Sequence, residues 1–182
     1  GAVDISAYKF NKPNGVGQSD WVELVEIADD YRGSFGRDDP ERAQKFADLI
    51  DPAIASLQRK GHGLAGFIAE TFPSVGGQII PPKGYLAAVY AKIRDAGGIC
   101  IADEVQTGLG RLGEHYFGFE HQDVRPDIVV LGKPIGNGHP LGVLVTTQEI
   151  AESFDNGIEF FSTFGGSTLS CRTGREVLDI VD

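Results

Sequence analysis

The chain has 182 residues, 41% hydrophobic and 23% charged, proportions that exclude general disorder and fit one domain with a real core. Sixteen basic against 26 acidic residues give a net charge of −10, which excludes sequence-independent binding to a nucleic-acid backbone. No apolar run approaches the ~20 residues of a membrane span, and the opening GAVDISAYKF is not a signal peptide. Cys100 and Cys171 give neither a disulfide framework nor metal-ligand spacing, so the expected setting is cytoplasmic and no metal site is expected. The chain opens on Gly1 and stops in EVLDIVD, inside a helical pattern, so it is expected to be a piece of a longer protein.

Residues 1–38 are rich in Gly, Asn and Pro and are expected to be irregular, with Trp21 to Ile27 as a short strand. Residues 39–182 read as an α/β core. Asp39-Pro40 is a cap followed by a first-turn proline. Ala43, Phe46, Ala47, Ile50, Ile54 and Leu57 then recur at helical spacing, with a kink at Pro52 and a stop at Gly61. Leu64 to Ala69 is a buried strand ending at Glu70. Residues 84–96 form a helix through Leu86, Val89, Tyr90 and Ile93, stopped by Gly97-Gly98. Three more strands follow: Ile99 to Ala102, ending at Asp103; Ile128 to Leu131, just before Lys133; and Gly142 to Thr146. Continuously apolar strands alternating with helices predict an α/β fold with a mainly parallel sheet flanked by helices.

In such sheets ligands bind beyond the carboxyl ends of the strands, where Glu70, Asp103 and Lys133 fall. Each alone reads as a solvated strand-end charge. A lysine among small residues after a buried strand, however, has a nucleophilic free amine once it is desolvated. It forms a Schiff base with an aldehyde, and a nearby carboxylate keeps a pyridine nitrogen protonated. Together they describe a pyridoxal phosphate (PLP) site.

The segments that carry these residues, IADEVQTG and GKPIGNGHPLG, with STFGGS downstream, resemble the class-III aminotransferases, PLP enzymes of fold type I. The resemblance runs from about Ile5 to the end and implies part of that family's large domain. By resemblance, Asp103 pairs with the pyridine nitrogen, Val105 packs on the ring and Gln106 reaches its phenolic oxygen. Lys133 carries the cofactor and shuttles the proton. Thr163, assisted by Ser162, binds the cofactor phosphate of a partner subunit in a homodimer with shared sites. Read without the resemblance, Val105 is equally a core residue and Thr163 a turn hydroxyl. Glu104 points to the other side of the backbone and receives no catalytic role. His139 and Arg111 read as structural, and His62, His115 and His121 as surface residues.

The implied partners are an amine or amino acid and a keto acid, with neither nucleic acid nor membrane. The family's phosphate cradle and its C-terminal domain lie outside this segment, so the isolated piece is expected to be inactive. Many members carry Pro-Ile-Gln-Gly-Glu after the strand-end Glu. Here Glu70 is followed by TFPSVGG, with Val75 in place of the second acid. The loops SVGGQIIPP, GKPIGNGHP and GIEFFSTFGGS resemble a sub-branch of ethanolamine-phosphate and 5-phosphohydroxylysine phospho-lyases. Phosphate elimination is therefore the alternative to amino transfer. A non-catalytic segment of a multidomain protein is the second alternative. A nucleotide-binding domain lacks its GxGxxG or P-loop pattern.

Overall fold

The computed structural model describes residues 2–15 and 17–181; Gly1 and Asp182, the bounds of the expected unit, lie outside the described residues. Four strands, β1 (Gly66–Glu70), β2 (Ile99–Asp103), β3 (Ile128–Leu131) and β4 (Val143–Thr146), make one sheet in the order β1-β2-β3-β4. The pairs β1–β2 and β2–β3 are parallel and β3–β4 is antiparallel. The α/β, mainly parallel sheet read from the sequence is the one observed. β4 runs antiparallel because its link to β3 is a short turn-rich segment, too short for the crossover that a parallel partner needs. The β3 bounds match the expectation, and the other strands match within two residues.

Helix α4 (Tyr85–Asp95) makes the β1–β2 crossover and lays Leu86, Val89, Tyr90 and Ile93 against Cys100 of β2. Outside α4 pack α2 (Arg42–Asp48) and α3 (Ile50–Arg59), which contribute Phe46, Ala47 and Ile50 to the same core. The single kinked helix expected here is two helices. Pro52 has no N–H to give the carbonyl four residues earlier, at Asp48, and α2 ends there. Pro52 itself sits in the first turn of α3, where that donor is not needed.

The strand expected over Trp21 to Ile27 is absent among the described residues. Val22, Val25 and Ala28 turn toward the core while Trp21, Leu24 and Ile27 stay exposed. That is a three-residue spacing rather than the alternation of a strand. Elsewhere in the N-terminal stretch a single helical turn, α1 (Ala7–Phe10), is formed.

Two further helices complete the chain. α5 (Gln148–Phe154) is capped by Thr147, whose hydroxyl accepts from Ile150 N–H at 3.4 Å. α6 (Thr168–Val181) confirms the helical pattern read in the last residues. It crosses the segment after Lys133 at Gly174, where a Cβ would lie 2.8 Å from Leu141 Cδ2. Between α5 and α6 the chain holds Ile158, Phe160, Phe161 and Phe164 in solvent, the last 86% exposed. No helix among the described residues is long and apolar enough to cross a membrane.

Candidate active site

The parallel register sets Glu70 directly beside Asp103, at the carboxyl ends of β1 and β2. Along β2 the side chains alternate. Cys100 and Ala102 turn inward toward α4, and Glu104 continues their face just past the strand, fully buried. Asp103 belongs to the opposite face and is half-buried.

Glu104 is the hub beneath the site. Its Oε1 accepts from Thr71 Oγ1 at 2.7 Å and from Phe119 N–H at 2.9 Å. Its Oε2 accepts from Thr107 Oγ1 at 2.6 Å and from Gly118 N–H at 2.9 Å. A buried carboxylate is tolerable only with such a donor set. This one ties the exits of β1 and β2 to a 3-10 turn at Gly118–Gln122. The reading that Glu104 faces away from the reacting side is therefore met. Its structural weight went unread, although the 100–102–104 alternation was the available signal.

Asp103 is satisfied on one side only. Its Oδ1 accepts from Val105 N–H at 3.0 Å, and Oδ2 has no hydrogen bond among the described residues. Burial pushes its carboxyl above the ordinary value; the Val105 N–H opposes that shift, Glu70 adds to it and Lys133 lowers it. Glu70 is engaged locally, accepting from Ser74 N–H at 2.9 Å and Ser74 Oγ at 2.8 Å.

Lys133 follows β3, the strand that pairs with β2 on the side away from β1. It opens a 3-10 turn, Lys133–Gly136, with φ of +25°, a left-handed backbone that a side-chain-bearing residue adopts only under constraint. Its amine is exposed and makes no ion pair among the described residues, yet it lies close enough to Asp103 to favour the carboxylate form. Gly132 makes room for Val105, because a Cβ there would sit 3.0 Å from Val105 Cγ1. Val105 and Gln106 are each half-buried.

The hollow beside Lys133 is lined by Arg111, Asn137, His139 and Leu141. His139 is anchored as expected, its Nε2 lying 2.9 Å from Ser170 Oγ of α6. Arg111 is not the structural residue expected. It is exposed, with no hydrogen bond or ion pair among the described residues, and it lines the hollow. His121 is likewise not a simple surface residue, since it is half-buried.

Ser162 and Thr163 stand apart from this group, both exposed in the segment between α5 and α6. Ser162 Oγ accepts from Gly165 N–H at 2.9 Å and closes a local turn. The structure thus brings Asp103, Val105, Gln106 and Lys133 to the carboxyl ends of β2 and β3 and leaves Ser162 and Thr163 outside that group.

The residues at those ends fit PLP. Asp103 Oδ2 is a half-buried acceptor whose charge is under-compensated, suited to a cationic ring N–H. Lys133 follows the neighbouring strand with no ion pair among the described residues, and Val105 packs against Gly132 just before it.

Comparison with known proteins agrees. The chain is 46% identical over 184 residues to an alanine–glyoxylate aminotransferase 2-like protein of Drosophila melanogaster, spanning 99% of this chain and 37% of that one. It is 36% identical over 203 residues to the human mitochondrial alanine–glyoxylate aminotransferase 2, spanning 100% and 38%. A phospholyase from Arthrobacter, solved in complex with phosphoethanolamine, superposes with a TM-score of 0.80 at 38% identity over 94% of this chain and 39% of that one. A PLP-bound amine transaminase from an uncultivated Pseudomonas species gives 0.86 at 29% identity, covering 100% and 42%. The chain thus spans about two fifths of the length of the relatives it matches. Residues 24–182 match aminotransferase class-III, and with that match over the strands that carry Asp103 and Lys133 the chain belongs to the class-III aminotransferase family.

Proposed function

We propose that the full protein is a PLP-dependent enzyme that moves an amino group between an amine or amino acid and a keto acid. The observation that carries the reading is the pairing of a one-sidedly satisfied Asp103 at the end of β2 with the constrained Lys133 after β3. When bound, PLP supplies an aldehyde that condenses with amines and a pyridinium ring that takes up the electrons of a deprotonated carbon. With PLP bound, Asp103 Oδ2 would accept the ring N–H while Oδ1 stays on Val105 N–H. Val105 would pack on one ring face and Gln106 would reach the phenolic oxygen. Lys133 Nζ would hold the cofactor aldehyde and serve as the group that takes and returns the substrate's proton. Arg111, facing the same hollow, is suited to an anionic group of the substrate.

Ser162 and Thr163 act in a neighbouring subunit of a homodimer, on its cofactor phosphate. Their exposure and the solvent-facing Phe160, Phe161 and Phe164 support such a covered surface. The cytoplasmic setting is part of the proposal; fractionation of cells that make the tagged full-length protein tests it against the mitochondrial placement in the human relative's name.

Borohydride reduction of the full-length protein followed by peptide mapping should place the pyridoxyl group on Lys133. A label on another lysine refutes the assignment. A second reading, phosphate elimination, is favoured by the 38% identity to the Arthrobacter phospholyase and by Val75, exposed in the loop after Glu70 where the family resemblance implies an acid. Turnover of phosphoethanolamine without a keto acid, with sustained release of phosphate and ammonia, establishes elimination. Amino transfer that stops without a keto acid establishes the transaminase.

A further inference from the structure

We propose that Glu114, His115 and His121 form a binding site for a divalent transition metal, zinc foremost. The sequence offers no metal-ligand spacing at its two cysteines, and both histidines read as surface residues. The fold supplies what the spacing does not. One donor atom from each of the three residues lies within 4.8 Å of the others. Tetrahedral zinc with bonds of ~2.1 Å holds its ligand atoms about 3.4 Å apart. Closure by at most about 1.4 Å is within reach of the exposed Glu114 and His115 side chains.

Two imidazoles and one carboxylate are a donor set for zinc and its neighbours in the first transition row rather than for calcium or magnesium, which prefer all-oxygen shells.

Two observations separate this cluster from an accidental meeting of side chains. The first concerns His121, whose Nε2 is cut off from solvent and has no hydrogen-bond partner. Its ring meets His115 edge-on at 4.4 Å and Phe72 at 5.4 Å, and neither contact satisfies a ring nitrogen. The second is the way both segments are pinned. Gly110 N–H donates to Tyr116 C=O at 2.9 Å and Gly113 N–H to Gly110 C=O at 3.0 Å, folding a loop that presents Glu114 and His115. Positive φ at Gly110 and Gly113 makes that loop possible. The turn that carries His121 hangs from Glu104 through Gly118 and Phe119. It is fixed again where Gln122 Nε2 donates to Pro81 C=O at 3.2 Å. These hydrogen bonds hold the backbone of both segments, so the ordering that a metal imposes falls on the exposed Glu114 and His115 side chains.

The test uses the full-length protein, stripped of metal by a chelator and titrated with zinc against a chromophoric competitor. His115→Gln and Glu114→Gln alter exposed positions and keep the fold; His121→Ala removes the half-buried ligand, and circular dichroism checks its folding. The expected result is one zinc per chain that is lost in each variant. Affinity should fall by more than ~100-fold, beyond the ~10–100-fold cost of losing an outer hydrogen-bond partner. Cobalt should give tetrahedral visible bands with the parent protein and lose them with His115→Gln. Equal zinc stoichiometry and affinity in the parent, His115→Gln and Glu114→Gln overturns the proposal, and so does a loss confined to His121→Ala.

Discussion

The buried Glu104 gives the sharpest quantitative test of how the site is held. Its two oxygens each serve one hydroxyl and one backbone N–H: Thr71 and Phe119 on Oε1, Thr107 and Gly118 on Oε2. In Glu104→Gln one oxygen becomes an NH2. The threonine on that side rotates its hydroxyl and accepts instead of donating. The backbone N–H on that side has no such freedom and loses its acceptor, whichever way the amide is turned. One buried donor left unsatisfied costs about 1–3 kcal/mol. Glu104→Ala strands both N–H groups, so the same reasoning gives about 2–6 kcal/mol. Urea unfolding of the cofactor-free full-length protein, read as shifts in midpoint at constant slope, should rank parent above Gln above Ala. Because Glu104 lies on the face opposite Asp103, the Gln variant should keep its cofactor colour. A Gln variant within ~0.5 kcal/mol of the parent would refute the hub, as would one no better than Ala.

Three further outcomes follow from the same geometry. Asp103→Asn keeps the Val105 N–H bond through its amide oxygen, so the fold survives while most turnover is lost. Burial holds Asp103 above its ordinary value of 3.8, so a stability cost grows as pH rises past that ordinary value and is complete once pH exceeds the raised one. Stability of the cofactor-free Asn variant should equal or exceed the parent's at pH 7, with the difference vanishing below the ordinary value; a large loss at pH 7 contradicts this. Cys100 is fully buried and its thiol is pushed up to about 11, so mass mapping after iodoacetamide should find it alkylated only once the protein unfolds. Gly132→Ala puts a Cβ 3.0 Å from Val105 Cγ1. Overpacking of this kind costs about 1–3 kcal/mol, and displaced Val105 should weaken cofactor retention in an absorbance titration; unchanged retention would remove Val105 from the ring face.

The sheet was legible because its strands are short apolar runs ending in Glu70, Asp103 and just before Lys133, with glycine stops between them. Such runs read as strands covered on both faces, although here Ile68, Leu144 and Val145 stay exposed. The extended stretch at Trp21 to Ile27 was misread as a strand because composition alone distinguishes poorly between a ladder and a segment that only leans on helices. The α2–α3 break was half visible: Pro52 was seen to interrupt the pattern, but the missing donor acts four residues upstream, at Asp48. Arg111 and the Glu114, His115, His121 cluster were not legible, since their meaning depends on where a glycine-rich loop folds back and on which nitrogen the fold buries. Periodicity carries neither.

Adjacent acidic residues, Asp103 and Glu104, show why strand-end chemistry resists reading by residue type alone. They are neighbours in sequence, and pleating sends them to opposite faces of β2. One meets four donors and is wholly inside; the other meets a single N–H and is left partly unsatisfied. A protein has no stability reason to keep an under-compensated carboxylate half-buried beside a second one at Glu70. The same defect suits a carboxylate to a cation that arrives from outside the chain. The complete shell around Glu104 is what allows Asp103 to remain incomplete, because the hub fixes the backbone on which Asp103, Val105 and Gln106 stand. Separating the two roles therefore needs paired measurements. Glu104 variants should move unfolding midpoints and leave the cofactor spectrum in place. Asp103→Asn should do the reverse.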